Sequence, residues 1–209
     1  LPALKAFAAQ CHIVTSEFEN VPLPALRVTA CQPDAAIFAL AQDRLLEKQA
    51  AADLGLPTAP FFAVESLADL QSAQAQTSGR GILKTRRLGY DGKGQWWLTP
   101  EADLPAIWQT TPQEDLIFEG LVDFAYETSV LVARHSLSPA VTLPCGENRH
   151  ENGILSQCHV PGQVTPEVQA KAQAWGVALA ERLELRGLLA LEFFVCRDGA
   201  LVLNEMAPR

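Results

Sequence analysis

Two glutamates, Glu192 and Glu205, stand on either side of a turn signal in L-E-F-F-V-C-R-D-G-A-L-V-L-N-E-M, residues 191–206. Asp198-Gly199 lies between two apolar runs, and Asp-Gly in that setting predicts a two-residue type I′ hairpin. Such a turn sets the register: Arg197 opposite Ala200, Val195 opposite Val202, Glu192 opposite Glu205. Cross-strand neighbours on one face hold their Cβ atoms roughly 4.5–5.5 Å apart. Carboxylates that close repel, so one takes a proton or a cation sits between them. Hard oxygen donors of this kind suit Mg²⁺. A hairpin with both glutamates in water satisfies the same pattern, and the pair alone does not choose between the two.

A second chemical stretch is K-T-R-R-L-G-Y-D-G-K-G-Q-W, residues 84–96. Lys84, Arg86, Arg87 and Lys93 against Asp91 give a local charge of +3 in a chain whose net charge is −8. Gly89, Gly92 and Gly94 lack Cβ atoms, so backbone N–H groups there can approach a phosphate closely. The spacing G-x-x-G-x-G is not that of a Rossmann turn, and no G-K-[ST] follows, so it is not a Walker A loop. The stretch runs from a strand over 81–85 to a strand over 95–98. It therefore reads as a lid over phosphates between two strands; the other reading is a mobile hairpin with surface cations. S-E-F-E-N-V-P, residues 16–22, follows a short strand expected over 12–15. Polar groups beyond the carboxyl end of a strand suit a ligand site, or merely a loop that caps the next helix. Arg44 and Lys48 lie one turn apart on a helix, where they reach an anion or face solvent.

The elements that must position these groups follow from local signals. A helix end is expected over 3–9 and a connector over 33–41. Helices are expected over 42–54, closed by Gly55 and Pro57, over 66–76 and over 101–108. Strands are expected over 58–64, 115–119 and 140–143. The stretch A-Y-E-T-S-V-L-V-A-R, residues 125–134, alternates as a strand with Glu127, Ser129, Leu131 and Ala133 on one face. A polar loop is expected over 146–153 and a strand over 154–160. Thr165 caps a long helix to Leu185, with Pro166 at its first position.

Composition removes several classes of function. The chain has 209 residues, 48% hydrophobic and 19% charged, ordinary for a globular protein. A net charge of −8 argues against nucleic acid as the main partner. The cysteines at 11, 31, 145, 158 and 196 are odd in number and form no CxxC, which points to a reduced, cytoplasmic setting. His12, His135, His150 and His159 show no metal-ligand spacing. No signal peptide and no membrane-spanning run are evident. The chain reads as a piece of a longer protein.

Q-D-R-L-L-E-K at 42–48, I-L-K-T at 82–85, Y-D-G-K-G-Q at 90–95, F-E-G at 118–120 and L-N-E-M-A-P-R at 203–209 together resemble the ATP-grasp superfamily. S-E-F-E-N-V-P narrows the resemblance to its N5-carboxyaminoimidazole ribonucleotide synthetase family. The resemblance implies an α/β (α+β) chain with the ATP-grasp fold, two lobes of mainly antiparallel sheet. Residues 1–32 would end a preceding Rossmann-like domain. Residues 33–209 would form the ATP-grasp domain, truncated at its C-terminal end, with a small lobe at about 58–120. It implies an ATP-dependent ligase that carboxylates aminoimidazole ribonucleotide with bicarbonate through carboxyphosphate, giving ADP and phosphate. Rival implications are a biotin carboxylase, a formate-dependent glycinamide ribonucleotide transformylase, or a nucleotide-binding module without chemistry.

Carried over by motif, Arg44 and Lys84 would contact ATP phosphates. Tyr90, Asp91, Gly92, Lys93, Gly94, Gln95 and Trp96 would close over nucleotide and second substrate. Glu119, Gly120, Leu121 and Val122 would bind adenine, Glu127 the ribose hydroxyls, and His150 would lie nearby. Glu192 and Glu205, with Asn204 beside them, would hold Mg²⁺. Glu19, Tyr90, Asp91 and Arg209 would face bicarbonate and aminoimidazole ribonucleotide. Lys84, Tyr90, Asp91 and Arg209 would be the catalytic set. The resemblance also implies a cytoplasmic homodimer.

Overall fold

A computed structural model describes residues 1–89, 93–151 and 154–209. Two antiparallel sheets organise them. The smaller contains β1 (Phe61–Val64), β2 (Gly81–Thr85), β3 (Gln95–Leu98) and β4 (Leu116–Gly120), in the order β1-β4-β2-β3. Helices α5 (Leu67–Gln76) and α6 (Leu104–Trp108) cover one face of it around Leu70, Leu83, Leu98 and Phe118. The larger runs β10-β9-β5-β7-β8, with β6 (Ser138–Thr142) also paired to β5. Its strands are β5 (Phe124–His135), β7 (Gly146–Glu151), β8 (Ile154–His159), β9 (Gly187–Cys196) and β10 (Leu201–Pro208). Helix α7 (Pro166–Arg182) packs on it through Val168, Ala172, Leu179 and Ala180. This is the expected mixed α/β architecture with antiparallel sheets. Among the described residues no helix is long and apolar enough to cross a membrane.

Ahead of the sheets lie α1 (Pro2–Ala8), α2 (Leu23–Thr29), α3 (Ala35–Ala41) and α4 (Arg44–Asp53). The expected connector over 33–41 is in fact helix α3. Asp34 caps it by accepting from the Ala36 and Ile37 amides, and burial of Ile37 and Phe38 holds it down. The strand expected over 12–15 is absent from the sheets; the Gln32 amide donates to the Val14 carbonyl at 2.8 Å without a ladder. The polar loop expected from Gly146 is strand β7 as far as Glu151. Its polar composition hid it: Asn148 stands opposite Glu127 of β5 in a polar cleft, so no hydrophobic alternation was there to read.

The central hairpin reaches the expected pairing by an unexpected route. Cys196 N–H donates to the Ala200 carbonyl, and Gly199 N–H donates to the Cys196 carbonyl. Of the turn residues only Gly199 has positive φ, at 82°. This is a three-residue turn closed by a glycine bulge, not a type I′ turn. Val195 therefore faces Leu201, not Val202. A β-bulge between Leu203 and Glu205 then adds one residue, and Glu192 again faces Glu205. The bulge also switches alternation, so Leu201, Leu203 and Met206 all stay buried.

Asp43, 1% exposed, ties α4 to the end of β2. It caps α4 by accepting from the Leu45 and Leu46 amides. Arg86 donates to it through Nε at 3.0 Å and Nη2 at 2.7 Å, and Arg87 through Nη2 at 3.0 Å. Burial pushes the Asp43 carboxyl up, but Arg86 and then Arg87 outweigh it and hold it below the usual range. Two of the four cations credited to the glycine-rich stretch are thus spent on a structural anchor. Removing one partner of a buried charge cluster costs about 3–5 kcal/mol. Asp43→Ala is expected to lose that much unfolding free energy in urea titrations. Asp43→Asn, which still caps, should lose less; equal losses would show that the arginines do not depend on the charge.

Candidate active site

Residues from both sheets line one cavity of about 250 Å³. Ile82 and Lys84 are two apart on β2 and share a face. Glu119 and Trp97 are the neighbours of Ile82 on β4 and β3. From the larger sheet come Phe194, on the Glu192 face of β9, and Phe124, stacked on it with centroids 4.4 Å apart. Gly120, Leu121 and Val122 complete the rim as β4 ends, where the Gly120 amide donates to the Pro60 carbonyl at 2.8 Å. Among the described residues, Lys84 and Glu119 are the charged side chains in the lining. Apolar walls with a few convergent polar groups suit a flat heteroaromatic ring.

Glu119 is the electrostatic centre. Its Oε2 lies 3.0 Å from Lys84 Nζ and 3.6 Å from Lys48 Nζ; Glu119 and Lys48 are buried, and Lys84 is partly so. Burial pushes the Glu119 carboxyl up, but Lys48 and Lys84 together carry it below its usual value. Burial, only partly offset by Glu119, pushes the Lys84 ammonium down. Glu119 Oε1 is buried with no hydrogen-bond partner. A buried acceptor left open costs free energy unless a ligand donor satisfies it.

A second group of acids gathers around Glu205. Glu192 is held up at about 7, first by burial and then by Glu205 and Glu127. Glu47 is held up at about 8, by burial and then by Glu205. Arg44 Nη1 is 3.7 Å from Glu205 Oε2, and Arg44 Nη2 donates to the Gly89 carbonyl at 3.2 Å. Burial lowers the Arg44 value, but Glu205, Glu47 and Glu119 more than restore it. Glu127, raised by burial against the pull of His150, has Oε1 3.1 Å from His150 Nδ1. That contact is out of hydrogen-bond alignment, so the buried Nδ1 has no bonded partner. Ligand atoms of Glu127, His150 and Glu192 all lie within 4.8 Å of one another. Facing carboxylates forced toward neutrality are a donor set that fits a hard divalent cation.

The acidic segment ahead of α2 closes the far side. Gln42 Nε2 donates to the Glu19 carbonyl at 2.7 Å and the Val21 carbonyl at 2.9 Å, pinning the segment to the end of α3. Glu19 and Asn20 thereby share a polar recess with Arg44, Gly89 and Glu205. Burial and then Glu205 raise the Glu19 carboxyl, opposed by Arg44 and Arg209. Arg209 itself bonds Glu17, at 2.9 Å to its carbonyl and 3.1 Å to Oε1.

Most of the expected site residues therefore converge. Lys84, Glu119 and Asn204 line the apolar cavity, Arg44, Glu205 and Glu19 line the polar recess, and Glu127, His150 and Glu192 cluster within 4.8 Å. Tyr90, Asp91 and Gly92 lie outside the described residues. Lys93, Gly94 and Gln95 follow them into β3, where Gln95 faces Lys84. Trp96 is displaced from the expected site: it pairs with Leu83 and packs into the small-sheet core, so the cavity side chain is Trp97. The sequence reading missed Ile82, Phe124 and Phe194. Strand alternation could have found two of them, since Ile82 is two residues from Lys84 and Phe194 two from Glu192. It also left Lys48 undecided between anion and solvent; the residue is 3% exposed and bonded inside the protein.

Two antiparallel sheets gripping such a cleft define an ATP-grasp protein, and the chain belongs to that family: the pattern of the ATP-grasp domain matches residues 49–209. Several of its relatives are named N5-carboxyaminoimidazole ribonucleotide synthase. That of Brucella melitensis is 39% identical over 99% of this chain and 59% of its own length. The crystal structure of the Thermus thermophilus synthetase is 37% identical, with a TM-score of 0.90 over 100% of this chain and 57% of the other. The Staphylococcus aureus synthetase, solved with ADP, is 30% identical with a TM-score of 0.87, over 100% of this chain and 56% of the other. The chain thus spans less than two thirds of the length of these relatives.

The raised carboxyls set a pH dependence of stability. Between their ordinary value of 4.5 and about 7 for Glu192 or about 8 for Glu47, the native state holds protons that the unfolded chain has lost. Stability is then fully present below that ordinary value and is lost as pH rises through the native values. The depressed Asp43 and Glu119 act in the opposite sense, but below this window. In chelator, Tm should fall from about pH 5 to about pH 7.5. Glu192→Gln should flatten the slope; a Tm that rises across this range would contradict the assignment.

Proposed function

We propose that the full-length protein is an ATP-dependent ligase. It joins bicarbonate to the exocyclic amine of 5-aminoimidazole ribonucleotide, giving N5-carboxyaminoimidazole ribonucleotide, ADP and phosphate. The observation that carries the acceptor half is the seating of Glu19 and Asn20 beside Arg44 and Glu205. The residues that grip a nucleotide cannot select its acceptor; a pinned acidic segment facing them from a different part of the chain can. The names of the relatives support the same reading. We assign residues 1–32 to a preceding domain and carry over from the resemblance a homodimer. Static light scattering on the full-length protein tests the dimer, and a monomer mass would overturn it.

In this reading Ile82, Trp97, Phe124 and Phe194 sandwich the adenine of ATP, and Glu119 with the backbone to Val122 binds its edge. Glu127 accepts from the ribose hydroxyls, with His150 beside it. Arg44 and Lys84 neutralise phosphate charge, and Lys93, Gly94 and Gln95 with Tyr90, Asp91 and Gly92 form the lid. Glu192, Glu205 and Asn204 hold Mg²⁺, which when bound supplies charge neutralisation at the transferred phosphate. Glu19, Tyr90, Asp91 and Arg209 orient the ribonucleotide and bicarbonate through charge-assisted hydrogen bonds.

The deciding assay is phosphate release from ATP by the full-length protein. It should require both 5-aminoimidazole ribonucleotide and bicarbonate; release supported by formate and glycinamide ribonucleotide instead would overturn the proposal. Glu205→Gln should leave folding intact and cost on the order of 10²–10³ in turnover. Near-full turnover of that variant at saturating Mg²⁺ would remove Glu205 from the metal site. Glu19→Gln should weaken use of the ribonucleotide and leave Mg-ATP affinity within a few-fold. An equal loss of both would return Glu19 to the nucleotide site.

A further inference from the structure

Glu47 has no part in the reading above, yet it is 2% exposed and directed at the metal strand. Arg44, Glu47, Lys48 and Ala51 repeat at helical spacing and share one face of α4. That face looks onto three consecutive residues of β10. Lys48 Nζ donates to the Asn204 carbonyl at 2.9 Å. Arg44 Nη1 approaches Glu205 Oε2 at 3.7 Å. Glu47 Oε1 accepts from the Met206 amide.

β10 is the edge strand of its sheet, so one row of its backbone groups has no strand partner. Buried groups of that kind must be satisfied elsewhere. The Leu203 amide donates to the Pro57 carbonyl, and Lys48 and Glu47 take the next two openings. These are also the residues around the β-bulge that brings Glu205 opposite Glu192. Lys48 and Arg44 are bonded to other groups, which leaves the acceptor at Met206 as the bond Glu47 makes.

We propose that Glu47 is a positioning residue: it holds β10 through the Met206 amide so that Glu205 stays opposite Glu192 in metal-binding register. The inference rests on the reading of that pair as the Mg²⁺ site. It requires a hydrogen-bond acceptor at position 47, not a charge. Partners that orient ligating carboxylates change metal affinity by roughly 10–100-fold when removed.

The test uses full-length protein with ADP, following Mn²⁺ binding by electron paramagnetic resonance and amide exchange at Met206. Glu47→Gln keeps a carbonyl acceptor and should bind Mn²⁺ within about three-fold of the parent, because the Met206 amide keeps its partner. Glu47→Met keeps the bulk but not the acceptor; it should weaken Mn²⁺ binding about 10-fold or more and speed exchange at Met206. Parent-like Mn²⁺ affinity in a folded Glu47→Met protein would overturn the proposal, as would an equal loss in Glu47→Gln. Should Glu47→Met not fold, Glu47→Asp, which withdraws the carboxylate by one methylene, must still weaken Mn²⁺ binding, and unchanged affinity there overturns it equally. A parent protein that binds no Mn²⁺ would instead sink the metal reading itself.

Discussion

The cleft depends on the buried contact of Glu119 with Lys48 and Lys84. Glu119 comes from β4, Lys84 from the adjacent β2, and Lys48 from α4, which also reaches β10. One carboxylate thus holds the small sheet, the helix and the hairpin edge to a common point. Buried ion pairs of this kind add little net stability, because desolvation offsets the attraction. Their geometry is specific all the same, since removing Glu119 leaves two neighbouring ammonium groups without their counter-charge. The same contact leaves Glu119 Oε1 without a bond at the edge of the apolar cavity, so the group that joins the lobes also presents the open acceptor.

Around that point the charges divide into structural and available ones. Arg86 and Arg87 serve Asp43, which caps α4 and fixes it to β2. Arg44 and Lys84 remain on the cleft side, among carboxyls that burial and mutual repulsion push toward neutrality. The site is therefore an excess of acids held close by a few cations, an arrangement that a divalent ion would relieve.

The hairpin shows how two local irregularities preserve the pairing of Glu192 with Glu205. The glycine bulge at Gly199 moves the register by one residue, and the bulge beside Asn204 moves it back. Without the second, the strand would present its other face, because side-chain direction has a period of two. With it, Leu201, Leu203 and Met206 remain in the core while Glu205 stays on the cleft face. Edge-strand groups that no strand can satisfy are taken by Pro57, Lys48 and Glu47.

By itself the sequence determined the strongly periodic elements and the identity of the chemical groups. The strands over 81–85 and 95–98 and the long helix from Thr165 could be read from alternation and capping residues, because these are local preferences; the opposition of Glu192 and Glu205 came about only through the bulge beside Asn204. Tertiary structure decided the rest. Which cations face the cleft depended on Asp43, a residue some forty positions from Arg86 in sequence and bonded to it in space. Whether Trp96 or Trp97 reaches the cavity was a matter of which sheet face is covered by α5 and α6. Strand β7 escaped notice because its polar residues face a cleft that exists only once the two sheets are assembled. Nothing in its local spacing singled out Glu47; the Met206 amide that it meets comes from β10. Spacing along a chain encodes the direction of a side chain; it does not encode which distant backbone group stands in that direction.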